Sequence, residues 1–243
     1  VAIKAEQFKA ELSSYLKQLQ LKVDSCKLEQ LWEYYIFFKE ENQKYNLSSI
    51  TEADQVIKKH FLDSLVILNY LVVDSGQKWL DIGTGAGFPG LVLKLFLPES
   101  QFVLLDSVAK KINFLNKLIY KLKLQDVKAI HDRAEDLAKK EEWRAQFDHI
   151  TSRAVASLNV LSEYAVPFLK IGGTAYFYKG PEYETELEEA KSALKTLGAV
   201  FKNAKKLAVP GLEAERYLIT VEKVKLTPAK YPRRAGMPKK RPL

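Results

Sequence analysis

Residues 79–90 read Trp79-Leu80-Asp81-Ile82-Gly83-Thr84-Gly85-Ala86-Gly87-Phe88-Pro89-Gly90: an apolar strand running into a cluster of glycines, with Leu91 to Leu97 spaced as a helix beyond it. A strand, a glycine turn and a helix in that order let backbone approach a ligand closely, because glycine has no Cβ to hold it off. The helix would direct unpaired amides and the positive end of its dipole at that ligand, which favours a carboxylate or a phosphate.

Downstream of this loop, short apolar runs alternate with helix-period segments, the pattern of βα units around a parallel sheet. Strands are expected near 78–82, 101–106, 127–131, 148–152, 173–179, 199–209 and 215–223. The last gap, which holds Pro210 and Gly211, is too short for a helical crossover, so the final two strands are expected to pair antiparallel. Upstream, Phe8, Leu12, Tyr15, Leu16 and Leu19, then Leu28, Leu31, Trp32, Tyr35 and Ile36, recur at helical spacing. Thr51 with Asp54 reads as a capping box opening a third helical stretch, through His60-Phe61-Leu62-Asp63-Ser64-Leu65. The expected organisation is a helical extension over 1–72, an α/β core over 73–223 and a basic tail over 224–243.

The 243 residues carry a net charge of +8. From Lys223 onward there is no acidic residue, and Lys223, Lys225, Lys230, Arg233, Arg234, Lys239, Lys240 and Arg241 carry that whole excess, leaving the remainder balanced at 30 basic against 30 acidic. Four prolines in the tail prevent it from continuing a helix or a central strand, so it is expected to be extended, and its charge favours an acidic partner such as nucleic acid or a membrane surface. The single cysteine, Cys26, cannot form an internal disulfide and suits a reducing compartment, so a cytoplasmic address is expected. No apolar run from Val1 onward suits a signal peptide, and none approaches the roughly 18 residues of a membrane helix.

Two cofactors could use the glycine loop. Gly85, Gly87 and Gly90 match G-x-G-x-x-G, and Asp106 lies about the right distance downstream to bind a ribose, so a dinucleotide such as NAD fits. However, Asp81 two residues before Gly83 makes the order D-x-G-x-G-x-G, typical of class I methyltransferases, whose S-adenosylmethionine brings a carboxylate and no pyrophosphate. The fold expected is accordingly the class I, Rossmann-like α/β methyltransferase fold, a mostly parallel seven-stranded sheet with an antiparallel C-terminal hairpin. Asp81, Gly83, Gly85, Gly87 and Phe88 become candidate cofactor residues. Asp106, at the end of the next strand, would hold the ribose hydroxyls, or cap the helix that starts near Val108.

Several fragments together resemble one family: Asn46-Leu47, His60 to Leu65, Asp81 to Gly90, Asp106-Ser107 with Lys110-Lys111, Arg133-Ala134-Glu135, Ser152-Arg153-Ala154, Lys179-Gly180 and Tyr231-Pro232-Arg233-Arg234. They run in order along nearly the whole chain. The chain is similar to the bacterial small-subunit ribosomal RNA methyltransferase G family, also called glucose-inhibited division protein B; Thr84 and Tyr178 depart from its pattern. The resemblance implies transfer of a methyl group from S-adenosylmethionine to N7 of guanine 527 in 16S ribosomal RNA. It also implies contacts of Gly83 and Phe88 with the cofactor, of Ala134 and Glu135 with its adenine region, and of Arg153 with the cofactor or target site. With RNA as the substrate, the basic tail is expected to grip its phosphates, and a cut after Pro228 to weaken RNA binding and spare the cofactor.

The residues allow an independent reading of the chemistry. C5 methylation of a pyrimidine needs a thiolate, and Cys26 lies far in sequence from the loop. Exocyclic amine methylation commonly uses an Asn/Asp-Pro-Pro-aromatic motif where this chain has Thr151-Ser152-Arg153-Ala154. Guanine N7 carries an in-plane lone pair and no proton, so its attack requires no general base, and no catalytic acid or base is assigned. Lys179 could serve a 2′-O-methyltransferase by activating a ribose hydroxyl. Outside enzymology, a non-catalytic RNA-binding protein on the same fold is the competing class. Arg153 is expected to serve the site rather than the fold, so that Arg153→Ala leaves melting nearly unchanged. His60 and Asp63, three apart on one helix face, are expected mainly to make capping or core hydrogen bonds. Tyr34, Tyr35, Phe37 and Phe38 read mostly as core. His131 and His149 lack metal-ligand spacing, and no metal site is proposed.

Overall fold

The computed structural model describes residues 3–71 and 74–243. The chain opens with α1 (Ala5–Gln18) and α2 (Ser25–Tyr45). Phe8, Leu12 and Leu16 bury one stripe of α1, as their spacing dictates. Asp24 caps α2 by accepting from the Lys27 amide at 2.7 Å, and Asn46 ends it in the left-handed conformation that asparagine tolerates. α3 (Ala53–Val56) then continues through a π-helical turn at Ile57–Leu62 into α4 (Asp63–Leu65) and a 3-10 turn at Val66–Tyr70. The expected capping box is not formed. Glu52 takes the N-cap position without a side-chain hydrogen bond, and Asp54 pairs instead with Lys58 one turn later, a competing i,i+4 contact.

The rest follows as β1 (Lys78–Ile82), α5 (Gly90–Phe96), β2 (Gln101–Asp106), α6 (Ala109–Lys121), β3 (Val127–His131), α7 (Ala134–Leu137), β4 (Phe147–Arg153), α8 (Leu158–Ala165), β5 (Leu169–Lys179), α9 (Tyr183–Leu197), β6 (Ala199–Leu207), β7 (Arg216–Lys223) and α10 (Met237–Lys240). The sheet order is β3-β2-β1-β4-β5-β7-β6. β1 to β5 are parallel, and β7 runs antiparallel between β5 and β6, so the expected hairpin folds back into the sheet. Chain order reverses between β1 and β4, and the carboxyl ends of those two strands frame the crevice where open α/β sheets bind ligands.

Alternate strand residues feed two cores, one on each face. Trp79, Phe102, Leu104, Tyr176 and Tyr178 join the N-terminal helices, α5 and α6 in one cluster. Leu80, Ile82, Val103, Leu105 and Phe177 join α8 and α9 in the other. The helical region and the sheet therefore share a core, and the boundary expected at 72 and 73 lies outside the described residues.

The C-terminal stretch is docked, where its proline content suggested a free extended tail. Tyr231 is buried in the second core. Arg144 donates to the carbonyls of Thr227 at 2.9 Å and Tyr231 at 2.8 Å. Arg233 pairs with the fully buried Glu163, its terminal nitrogen 2.6 Å from the carboxylate. A proline-rich segment cannot join a ladder, but its carbonyls remain free to accept, and a buried carboxylate demands a cation. Lys223 is itself buried, donating to the Leu169 carbonyl at 2.7 Å.

Candidate functional site

The glycine loop leaves β1 with positive φ at Gly83 (70°), Gly85 (61°) and Gly87 (100°), a region costly for other residues. A Cβ at Gly83 would overlap Val155, which follows β4 across the crevice. One at Gly87 would run into the hydroxyl of Tyr34, which donates to the Ala86 carbonyl. Gly87 thus serves the packing of α2 against the loop, and it is not among the lining residues of the cavities described below.

Asp81, also a candidate cofactor residue, is engaged within the fold. It is fully buried and absent from the cavity walls. One carboxylate oxygen accepts from the Gly90 amide at 2.9 Å and the other from the Thr151 hydroxyl at 2.8 Å. Asp81 therefore ties loop, α5 and β4 together, and it occupies the helix-start amide that the sequence offered to a ligand. Burial pushes its pKa up to about 6, against the opposing pull of its hydrogen bonds and Arg153.

Two cavities open at the crevice, of 730 and 220 Å³, and Gly83, Val155 and Ala156 belong to both. The smaller is lined by Asp106, Arg133, Ala134, Glu135, Tyr164 and Lys239. Asp106 accepts from the amides of Gly85 and Val108, each at 2.9 Å, so it braces the loop and closes a turn before α6, which has no side-chain cap, while facing the cavity. Glu135 accepts from the Gly236 amide at 2.9 Å, which brings the C-terminal segment into the wall. The larger is lined by Gly83, Gly85, Phe88, His60, Asp63 and Arg153, among others. The structure thus assembles Gly83, Gly85, Phe88, Asp106, Ala134, Glu135 and Arg153 around one joined space. A further cavity of 580 Å³ lies at the opposite, amino-terminal ends of the strands, near Lys78, Gln101 and Trp143, away from the switch point.

Arg153 donates to Asp63 at 2.6 Å and to the Lys59 carbonyl at 3.1 Å, and faces the His60 ring nitrogen Nδ1 at 3.5 Å. His60 stacks on Phe88, ring centroids 4.3 Å apart and 12° from parallel, and Phe88 stacks in turn on Tyr34 at 5.4 Å. Burial, with the Arg153 charge second, pushes the His60 pKa down to about 3, so a neutral ring offers its lone pair to the guanidinium. His60 and Asp63 make the internal hydrogen bonds expected of them and also line the cavity. Lys179 donates to the Ala156 carbonyl at 2.6 Å and to Glu186 at 2.5 Å. His131 and His149 are engaged elsewhere, with the Ser107 carbonyl and the Gln77 side chain.

Sequence reasoning passed over Tyr34 as a partner of the loop, Arg216 on the cavity wall and Glu163 beneath the tail. Of these, only the aromatic run around Tyr34 carried a signal, and it suited an ordinary core equally well.

A family profile described as rRNA small subunit methyltransferase G matches residues 27–218. The chain belongs to this family. The methyltransferase G of Desulforamulus reducens is 46% identical over 211 residues, covering 87% of this chain and 88% of that protein. That of Desulfitobacterium hafniense is 47% identical over 228 residues, covering 93% and 94%. Among solved structures, M. jannaschii TYW2 in complex with AdoMet superposes with a TM-score of 0.55 at 15% identity, over 72% of this chain and 80% of that one. TrmN from Thermus thermophilus gives 0.53 at 16% identity, over 69% and 53%. At such identities these two establish the fold, that of class I methyltransferases. The methyltransferase G match runs from α2 into β7 and takes in the glycine loop and Arg153. It stops before the C-terminal segment that supplies Lys239 to the smaller cavity.

Proposed function

We propose that this chain transfers a methyl group from S-adenosylmethionine to N7 of a guanine in 16S ribosomal RNA, the guanine being position 527. The observation that carries the proposal is the joined pair of cavities at the switch point, entered over Gly83 and walled by Asp106 on one side and Phe88 and Arg153 on the other. Asp106 would accept from the ribose hydroxyls. The amides of Ala134 and Glu135, at the start of α7, find no acceptor among the described residues and would meet the acceptor edge of an adenine. Gly83 and Gly85 admit backbone close to the ligand, and Phe88 is held rigid between Tyr34 and His60. Bound there, S-adenosylmethionine supplies a methyl group activated on a sulfonium.

The same contacts disfavour a dinucleotide. Its pyrophosphate would need the start of α5, where the Asp81 carboxylate already holds the Gly90 amide. Guanine N7 has no proton to lose, so the chain's work is positioning, which can lower a barrier by on the order of 7 to 11 kcal/mol. Lys179, the candidate base for ribose methylation, is bound to Glu186 and a carbonyl, which supports N7 over the 2′-oxygen. The 16S target is supported by the names of the relatives, and this substrate would put the chain in the cytoplasm. The test is incubation of the purified protein with labelled S-adenosylmethionine and small subunits from cells lacking the protein. Label in 16S RNA is expected; label in ribosomal protein alone, or in neither, contradicts the reading.

A further inference from the structure

Five cationic side chains line the larger cavity: Lys59, Lys111, Arg153, Lys179 and Arg216. Three are neutralised within the wall, Lys111 by Asp106 at 3.5 Å, Arg153 by Asp63 at 2.6 Å and Lys179 by Glu186 at 2.5 Å. Lys59 pairs with no carboxylate among the described residues. Arg216 stands with Nε 3.5 Å from the second Asp63 oxygen, which is buried and has no hydrogen-bond partner among the described residues. One carboxylate is thus shared by two guanidinium groups, and the wall keeps a positive excess at Arg216 and Lys59.

The backbone that carries these two cations is held in place by the fold. The Lys59 carbonyl accepts from Arg153, so its backbone is fixed by the same guanidinium that Asp63 holds. Arg216 begins β7, and the preceding loop packs on the helical segment: a Cβ at Gly211 would press on the Lys58 side chain at 2.7 Å. Uncommitted positive charge does nothing for the cofactor's sulfonium, its single carboxylate needs at most one of the two cations, and a neutral purine does not call for them. The anion that accompanies a guanine in RNA is its phosphodiester.

We infer that Lys59 and Arg216 grip a backbone phosphate at the target nucleotide and so seat its base in the cavity. The inference rests on the RNA methyltransferase reading. A carboxylate on the cofactor is the other anion that could occupy the pair, and the experiment separates the two. Lys59→Gln, Arg216→Gln and the double variant of the full chain are compared with Lys202→Gln, on the far edge strand, for binding to a single-stranded fragment of 16S RNA across a salt series. The double variant is expected to make the slope of log affinity against log salt shallower by about 0.7, the share of one phosphate on a single strand, and each single substitution gives part of that change. Each should also raise KM for RNA about tenfold, with kcat nearly unchanged, as loss of ground-state binding requires. Melting and S-adenosylmethionine affinity by calorimetry stay at wild-type values, and Lys202→Gln changes nothing. Salt slope and KM unaltered in the double variant overturn the clamp, as does weakened cofactor binding with RNA affinity intact. A wild-type protein without salt-dependent RNA affinity overturns the clamp and the methyltransferase reading together. A wild type that binds RNA but methylates another atom overturns only the N7 assignment.

Discussion

Arg153, at the end of β4, and Asp63, in the helical segment before the sheet, meet at 2.6 Å with side chains only 14% and 3% exposed. The pair fastens the N-terminal helices to the crevice of the sheet, so the larger cavity is closed by an interaction between the two regions. Arg153 therefore has a structural duty that the sequence did not disclose. Removing one partner of a buried pair leaves the other uncompensated, at a cost of about 3 kcal/mol or more. Arg153→Ala is expected to lower Tm by about 10 °C, against the earlier expectation of no change. Asp63→Asn on that background should recover part of the loss. A variant that melts with wild type would show that Arg216 alone satisfies Asp63.

Truncation after Pro228 removes Arg233 from the fully buried Glu163 and the Gly236 amide from Glu135. Both the fold and the smaller cavity are damaged, so the cut is expected to destabilise the chain by about 3 kcal/mol or more and to abolish S-adenosylmethionine binding. The sequence alone pointed to weaker RNA binding with the cofactor spared. Calorimetry on the truncated chain decides: wild-type cofactor affinity would mean that the docked segment plays no part in the site.

Gly83→Ala forces an L side chain into positive φ and drives its Cβ into Val155, at the mouth that the two cavities share. The backbone cost is about 1–2 kcal/mol, and cofactor affinity should fall by at least a hundredfold. Val155→Ala in the same chain should restore part of that affinity. Equal loss in single and double variants would remove Val155 from the explanation.

Acid should weaken the fold. Burial pushes His149 down to about 4 and His60 to about 3 from an ordinary value near 6.5. The unfolded chain takes up these protons below 6.5 while the folded chain refuses them, so the stability they support is present above 6.5 and lost as pH falls. Asp81, raised to about 6, works in the opposite sense, its contribution growing from pH 6 down toward 3.8. Two histidines outweigh one carboxyl. Tm should fall between pH 7 and pH 5, and His149→Phe, remote from the cavities, should flatten that decline. An identical decline in the variant contradicts the assignment.

Strand positions and the hairpin were legible because period-two apolar runs and a short Pro-Gly gap leave few alternatives. Gly83, Phe88, Asp106 and Arg153 were legible as residues of the crevice because the carboxyl ends of the strands and the loop after β1 expose whatever stands there. The internal bonds of Asp81 were illegible because a carboxylate beside a glycine loop looks alike whether it faces a ligand or binds the start of the following helix; the 2.9 Å contact with Gly90 shows the second. Gly87 hid its partner because Tyr34 comes from a helix more than fifty residues away. The docking of the tail was illegible because it depends on carbonyls accepting from Arg144 and on Glu163, neither of which leaves a periodic trace.

The measurement closest to the central claim is mass mapping of nucleosides from 16S ribosomal RNA of cells without this protein, before and after treatment with the purified chain and S-adenosylmethionine. One new N7-methylguanosine per RNA is expected, at position 527, and much less of it in the same time when the Arg216→Gln, Lys59→Gln double variant is used at limiting substrate. A methyl group on a ribose oxygen, on another base atom or nowhere in the RNA would contradict the account.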